Sequence, residues 1–213
     1  MPDADLFARL EQLNEIGAAL SAERDLGRLL ERILLAAKQI TRADAGTLYR
    51  MAPDGQHLHF EIVRTDSLGI AFGGPGGQPL SARFPDVPLH DASGGPNHAM
   101  VAAHCALTLQ TVNIPDVDAA QGFDFSGTRA FDARIGYRSR SFLTVPMHDH
   151  EGQVIGVLQL INAIDPVTQA VGTFSDADRR LAESLASQAA IALTNRQLID
   201  QLEALFESFI HLI

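Results

Sequence analysis

The stretch from Thr111 to Ala163, TVNIPDVDAAQGFDFSGTRAFDARIGYRSRSFLTVPMHDHEGQVIGVLQLINA, decides the fold. It opens on a short strand, TVNI (111–114), that Pro115 ends because proline has no N–H to give a ladder. The polar residues after Asp116 predict a short helix before Phe131. Two apolar, β-branched runs follow, SFLTVPM (141–147) and VIGVLQLIN (154–162), separated by the turn residues HDHEGQ (148–153). Runs of this length, bounded by Asp and Gly, predict two central strands of an antiparallel sheet.

Upstream, AGTLYRM (45–51) and HLHFEIV (57–63) flank Pro53-Asp54-Gly55-Gln56, with Leu58, Phe60 and Ile62 alternating, and predict a β-hairpin. Residues 66 to 97 are crowded with Gly and Pro and exceed an ordinary loop, so they predict an irregular segment serving as a lid or moving freely. A helix is expected from Asn97 to about Leu109.

Helical patterns occupy both ends. Leu6, Leu10, Leu13, Gly17 and Leu20 form one stripe in a 4-3-4-3 spacing, which Gly17 weakens. Leu26, Leu29, Leu30, Ile33, Leu34, Ala37 and Ile40 form a second, with Asp25 as N-cap. Ser175 and Asp178 have the spacing of a capping box, and no helix breaker follows as far as Ile213. The latter part of this helix carries Ile191, Asn195, Leu198, Leu202, Leu205, Phe209 and Leu212, a seam suited to meeting another helix. The whole reads as α+β: a central antiparallel sheet, helices on one side, and long N- and C-terminal helices.

Bulk properties narrow the function. The chain has 213 residues, 46% of them hydrophobic and 20% charged, as expected of a soluble globular protein with a real core. A formal net charge of -10 with no basic patch argues against nucleic acid and anionic membrane as partners. No apolar run approaches the roughly 18 residues of a membrane span, and the start lacks a secretory signal. With one cysteine, Cys105, there is no internal disulfide, and a cytoplasmic location is expected.

Catalytic constellations are missing: no H-E-x-x-H, G-x-S-x-G or P-loop occurs. His148 and His150 flank Asp149 in a turn, where solvated side chains are expected. His90-Asp91 lies in the Gly/Pro segment without the helix and further ligands that a metal site needs. The run GGPGGQ (73–78) precedes no phosphate-binding helix start. His98 and His104 could each serve as a haem ligand, though a hydrogen-bonded structural histidine is the commoner role. No catalytic or metal residue is therefore assigned.

The landmarks NIPD (113–116), FD (131–132), GYRSRS (136–141), LTVP (143–146) and VIGVLQLIN (154–162) occur in the order seen in GAF domains of the phosphodiesterase and bacterial cyclase type, which this chain resembles. The resemblance implies an N-terminal dimerisation helix (1–24), a GAF domain (25–195) and a signalling helix (196–213). It implies a sensory domain that binds a small effector such as a cyclic nucleotide and is not itself an enzyme. Mapped onto this chain, the polar ligand contacts of such domains fall on Asp132, Ser139 and Gln159, while Ile135 stands where a threonine is often found. Asn162, Phe174 and Asp178 match the Asn-Lys…Phe…Asp-Glu signature of the group. Ala163 and Arg179 replace its lysine and glutamate, so the lysine-to-aspartate salt bridge is not implied. Cys105 resembles the bilin-attaching cysteine of phytochrome-like relatives, but a cysteine in AMVAAHCALTL is ordinarily core.

The closing EALFESFIHLI (203–213) resembles the connector before an HD-GYP metal-dependent phosphohydrolase domain, and implies such an output domain in cis. With the helical seams it implies a homodimer held through Leu198, Leu202, Leu205 and Phe209. Two other readings carry different functions: a ligand-free dimerisation platform, and a free methionine sulfoxide reductase, whose chemistry needs several reactive cysteines.

Overall fold

The computed structural model describes residues 2–80 and 84–210, and the side chains from Asp5 to Ser208 within them. Helix α1 (Pro2–Ala22) leads into α2 (Leu26–Thr41). Asp25 caps α2 by accepting from the Arg28 N–H at 2.7 Å, and Arg42 closes it in the left-handed conformation. Strands β1 (Ala43–Met51) and β2 (His57–Thr65) form the expected hairpin. Gly55 takes φ +66° in its turn, which costs glycine nothing.

The segment expected to hold no regular element carries two short strands, β3 (Ile70–Phe72) and β4 (Val87–Pro88), both paired with β2. Their ladders of two or three residues are fixed by β2 and leave no periodic trace in a Gly- and Pro-rich sequence. Arg64 anchors the bend, donating to the carbonyls of Phe72 at 2.7 Å and Gly73 at 2.9 Å. Helix α3 (Val101–Thr108) begins later than expected, with residues 97–100 irregular, and β5 (Val112–Ile114) follows. Helix α4 (Ser126–Ile135) runs through Phe131, where a helix ending before it was expected. Strands β6 (Phe142–His148), β7 (Val154–Ile164) and β8 (Val171–Gly172) precede α5 (Asp176–Ile210). The capping box is made in both directions: Ser175 Oγ accepts from the Asp178 N–H at 3.1 Å, and Asp178 Oδ2 accepts from the Ser175 N–H at 2.8 Å.

The sheet runs β3-β2-β1-β7-β6-β5, antiparallel throughout, with β4 on β2 and β8 on β7. Alternation divides its faces. Leu48, Leu143, Val145, Leu158 and Leu160 point to the long helices α1, α2 and α5, burying Leu29, Ile33, Leu34, Leu181 and Leu185. Tyr49 and Val157 point the other way, where the short α3 covers them with Ala102, Ala103, Cys105 and Ala106.

The α1 seam meets a helix of its own chain. Leu13 and Leu20 are buried against the α2 and α5 layer, while Phe7 and Leu10 stay exposed. Gly17 is a point of close approach there, since a Cβ would lie 2.0 Å from Gln188 Oε1 on α5. Beyond Leu193, α5 runs clear of this layer, and Leu198, Leu202 and Leu205 are each more than half exposed (52%, 54% and 55%). The Phe209 side chain and Leu212 lie outside the described residues.

Candidate functional site

Three side chains singled out in the sequence fall into two groups. Asp132 sits in the last turn of α4, and the chain turns back through Gly136, whose φ of +70° permits the reversal. This brings Ser139 against it: Asp132 Oδ2 accepts from the Ser139 N–H at 2.7 Å, and Oδ1 from its hydroxyl at 3.1 Å. Both side chains are buried. Each carboxylate oxygen can accept two hydrogen bonds, so this pairing uses about half the acceptor capacity of Asp132.

Gln159 stands apart, in the middle of β7 on the face that α3 covers. Its carbonyl accepts from the Tyr49 hydroxyl and its amide donates to Thr144 Oγ1, both at 3.3 Å. Register explains the trio, because Gln159 lies opposite Thr144 on one side, and β1 carries Tyr49 past it on the other. A bulge between Leu48 and Tyr49 perturbs β1 at this point. Burial pushes the Tyr49 phenol far above its ordinary pKa, so it acts as a neutral donor.

Asn162 ties the groups together. Its Nδ2 donates to the Arg138 carbonyl at 2.8 Å and to the Tyr137 hydroxyl at 2.9 Å, and its Oδ1 accepts from the Arg140 N–H at 2.7 Å. The residue has φ +59°, a conformation that asparagine tolerates better than most. Tyr137 in turn donates to Asp44 Oδ2 at 2.7 Å. The turn carrying Ser139 is thus clamped to β7 three residues beyond Gln159.

Aromatic side chains close the space around Tyr49. Tyr49 packs on Phe60 at 4.6 Å between ring centres, Phe60 on Phe84 at 5.3 Å, and Phe84 on Phe131 at 5.6 Å, joining β1, β2, the 66–97 segment and α4. Phe84 thereby ties its part of the chain to β2 and α4. Sequence reasoning missed Tyr49, Thr144, Phe84 and Phe131, because only strand register and a long-range loop contact bring them together.

Cys105 is buried and its thiol is pushed up to about 12 by desolvation, which leaves it inert at neutral pH. His150 is exposed in its turn, and Asp91 is engaged in a local turn with Ser93 and Gly95. Among the described residues no group of three or more His, Cys, Asp or Glu side chains is arranged to hold a metal ion. No helix among them is long and apolar enough to cross a membrane.

Known proteins resemble this chain in sequence and in fold. The chain is 25% identical over 195 residues to a cGMP-specific 3',5'-cyclic phosphodiesterase of Drosophila mojavensis, covering 89% of this chain and 16% of that protein. It is 33% identical over 101 residues to dual 3',5'-cyclic-AMP and -GMP phosphodiesterase 11 of Drosophila melanogaster, covering 47% of this chain and 6% of that protein. The chain therefore spans less than a fifth of the length of these two relatives. Among solved structures, the GAF domain of a phosphoenolpyruvate-protein phosphotransferase from Coxiella burnetii superposes with a TM-score of 0.63 at 11% identity, over 92% of this chain and 98% of that one. Free methionine-R-sulfoxide reductase from Neisseria meningitidis does so with 0.63 at 17% identity, over 91% and 93%. These two likenesses establish the fold alone. The family model for the GAF domain matches residues 25–193, and the chain belongs to the GAF domain family, whose members are generally regulatory sensory modules.

Proposed function

We propose that this chain senses a cyclic mononucleotide on the α3 side of its sheet and passes the signal through α5. The observation that carries the reading is Gln159: a buried amide with one long hydrogen bond to each side, on a sheet face that sets it and Thr144 among apolar and aromatic groups. A few convergent polar groups in an apolar setting are what small-ligand sites are made of. Asp132 and Ser139 add an acceptor and a hydroxyl at the α4 end. Asp132 offers acceptor oxygens, which suit guanine, with its two adjacent donors, better than adenine. The cyclic-GMP-specific relative supports the same ligand class. In the conformation described, Phe84 packs on Phe60 and Phe131 beside Tyr49, so an effector there requires these rings to separate.

Transmission follows from the connections. Strand β7 carries Gln159 and Asn162 and leads through β8 into α5, which buries Leu181, Leu185 and Leu193 in the long-helix layer before its exposed stripe begins. Leu198, Leu202 and Leu205, with Phe209 continuing their spacing, join two copies as a parallel homodimer, and an HD-GYP-type phosphohydrolase domain in cis receives the bias. The resemblance of residues 203–213 to the connector of such proteins supports this output.

A second reading, a ligand-free dimerisation platform, is favoured by one observation, the mutual pairing of Asp132 with Ser139. Reductase chemistry has no support from this chain: its lone thiol is buried. Hydrogen–deuterium exchange with and without cyclic GMP separates the first two readings. Sensing predicts altered protection around Phe84, in α4 and along α5; an unchanged exchange map at millimolar nucleotide favours the platform.

A further inference from the structure

We propose that His98 and His104 form a two-imidazole binding site for a borderline divalent cation, zinc or nickel, at the start of α3. Their Nδ1 atoms face each other at 3.1 Å, with ring centres 5.0 Å apart and planes inclined by 68°. For metal–nitrogen bonds of about 2.0–2.1 Å, two nitrogens at this separation subtend roughly 95–100° at the metal, between the octahedral and tetrahedral values. Chelation requires the two rings to turn from this hydrogen-bonded arrangement until both Nδ1 lone pairs converge on one point.

Several features favour a cation over a purely structural pairing. His104 stands half-buried on α3 and packs nearly perpendicular to Phe123, at 5.3 Å and 86°, which restrains its ring. His98 is exposed and leaves the outer coordination positions open to water. In the metal-free state one Nδ1 carries the proton shared between the rings; on binding, both imidazoles hold their proton on Nε2 and turn Nδ1 lone pairs to the metal. Imidazole donors select zinc, copper or nickel, whereas calcium and magnesium require oxygen ligands.

The site has a consequence for the rest of the domain. His98 lies in the irregular 97–100 segment, and α3 carries Ala102, Cys105 and Ala106, which pack on Tyr49 and Val157 beneath the sheet. A metal held by both histidines fastens that segment to the helix covering the Gln159 face. It stabilises the folded domain by mass action.

The test uses untagged protein and zinc chloride, with nickel chloride as a second probe. Calorimetry should give one zinc per chain. Histidine 15N spectra should show the Nδ1 resonances of His98 and His104, and of no other histidine, moving together on titration. His98→Ala, at an exposed position, should weaken zinc binding at least tenfold without changing the fold, and His148→Ala should leave it unaltered. Absence of one-to-one binding, binding indifferent to His98→Ala, or an Nδ1–H···Nδ1 hydrogen bond that persists in excess zinc would each overturn the assignment.

Discussion

The Arg9 guanidinium on α1 donates to the Asp178 carboxylate in the first turn of α5, and both side chains are nearly buried, at 11% and 10% exposure. Arg9 also donates through Nε to the Ile40 carbonyl at the end of α2, at 2.8 Å. Ala163 stands where the signature implied by the resemblance has its lysine. In this chain the cation beside Asp178 comes from α1, which is thereby tied to α5.

Removing Arg9 strands a buried carboxylate and one helix-terminal carbonyl. Arg9→Ala should therefore destabilise the domain by roughly 1.5–3 kcal/mol, the usual range for a lost hydrogen bond to a charged group. Urea unfolding of Arg9→Ala, Asp178→Ala and the double variant measures the coupling. Additive losses would show that the two residues do not interact in solution.

Asn162 should be among the least replaceable residues in the chain. Asn162→Ala deletes its side-chain hydrogen bonds to the 137–141 turn and forces alanine into a left-handed conformation, which costs of order 1–3 kcal/mol for backbone strain alone. Asn162→Gly removes the same bonds without the strain and should retain more stability. Thermal melts rank the variants; alanine equal to or better than glycine would contradict the geometry.

These two residues show where the sequence was readable. The hairpins, the Asp25 cap, the Ser175–Asp178 box and the long final helix are local signals, set by periodicity and by groups three residues apart. The Arg9–Asp178 pair spans the chain, and nothing near either residue announces the other. Likewise Asp132 and Gln159 could be proposed as site residues from their positions in a known pattern. Tyr49 and Thr144 became visible only through strand register, and Phe84 only through the path of a Gly- and Pro-rich segment that leaves no periodic trace.

The exposed stripe on α5 predicts association. Leu202→Asp with Leu205→Asp should convert a dimer to a monomer by light scattering, because each buried leucine side chain contributes roughly 1.5–3 kcal/mol. Those positions are already exposed within one chain, so the melting of the domain core should change little. A monomeric parent protein at tens of micromolar would remove the dimer from the account.

The lowered pKa of His104 gives stability a direction with pH. The folded state prefers the neutral ring, so the unfolded chain binds the proton more readily below its ordinary value of 6.5. This contribution is present above 6.5 and is lost as pH falls through the lower, folded value. Metal-free His104→Gln should show a shallower loss of stability on acidification than the parent; an equal slope would count against it.

Calorimetric titration with cyclic GMP and cyclic AMP, on the parent protein and on Asp132→Ala, measures whether the domain senses a cyclic mononucleotide. One-to-one binding of cyclic GMP in preference to cyclic AMP is expected. Asp132→Ala should weaken it by about ten- to a hundredfold, corresponding to a lost charge-assisted hydrogen bond. No heat and no thermal shift with either nucleotide at millimolar concentration would contradict it.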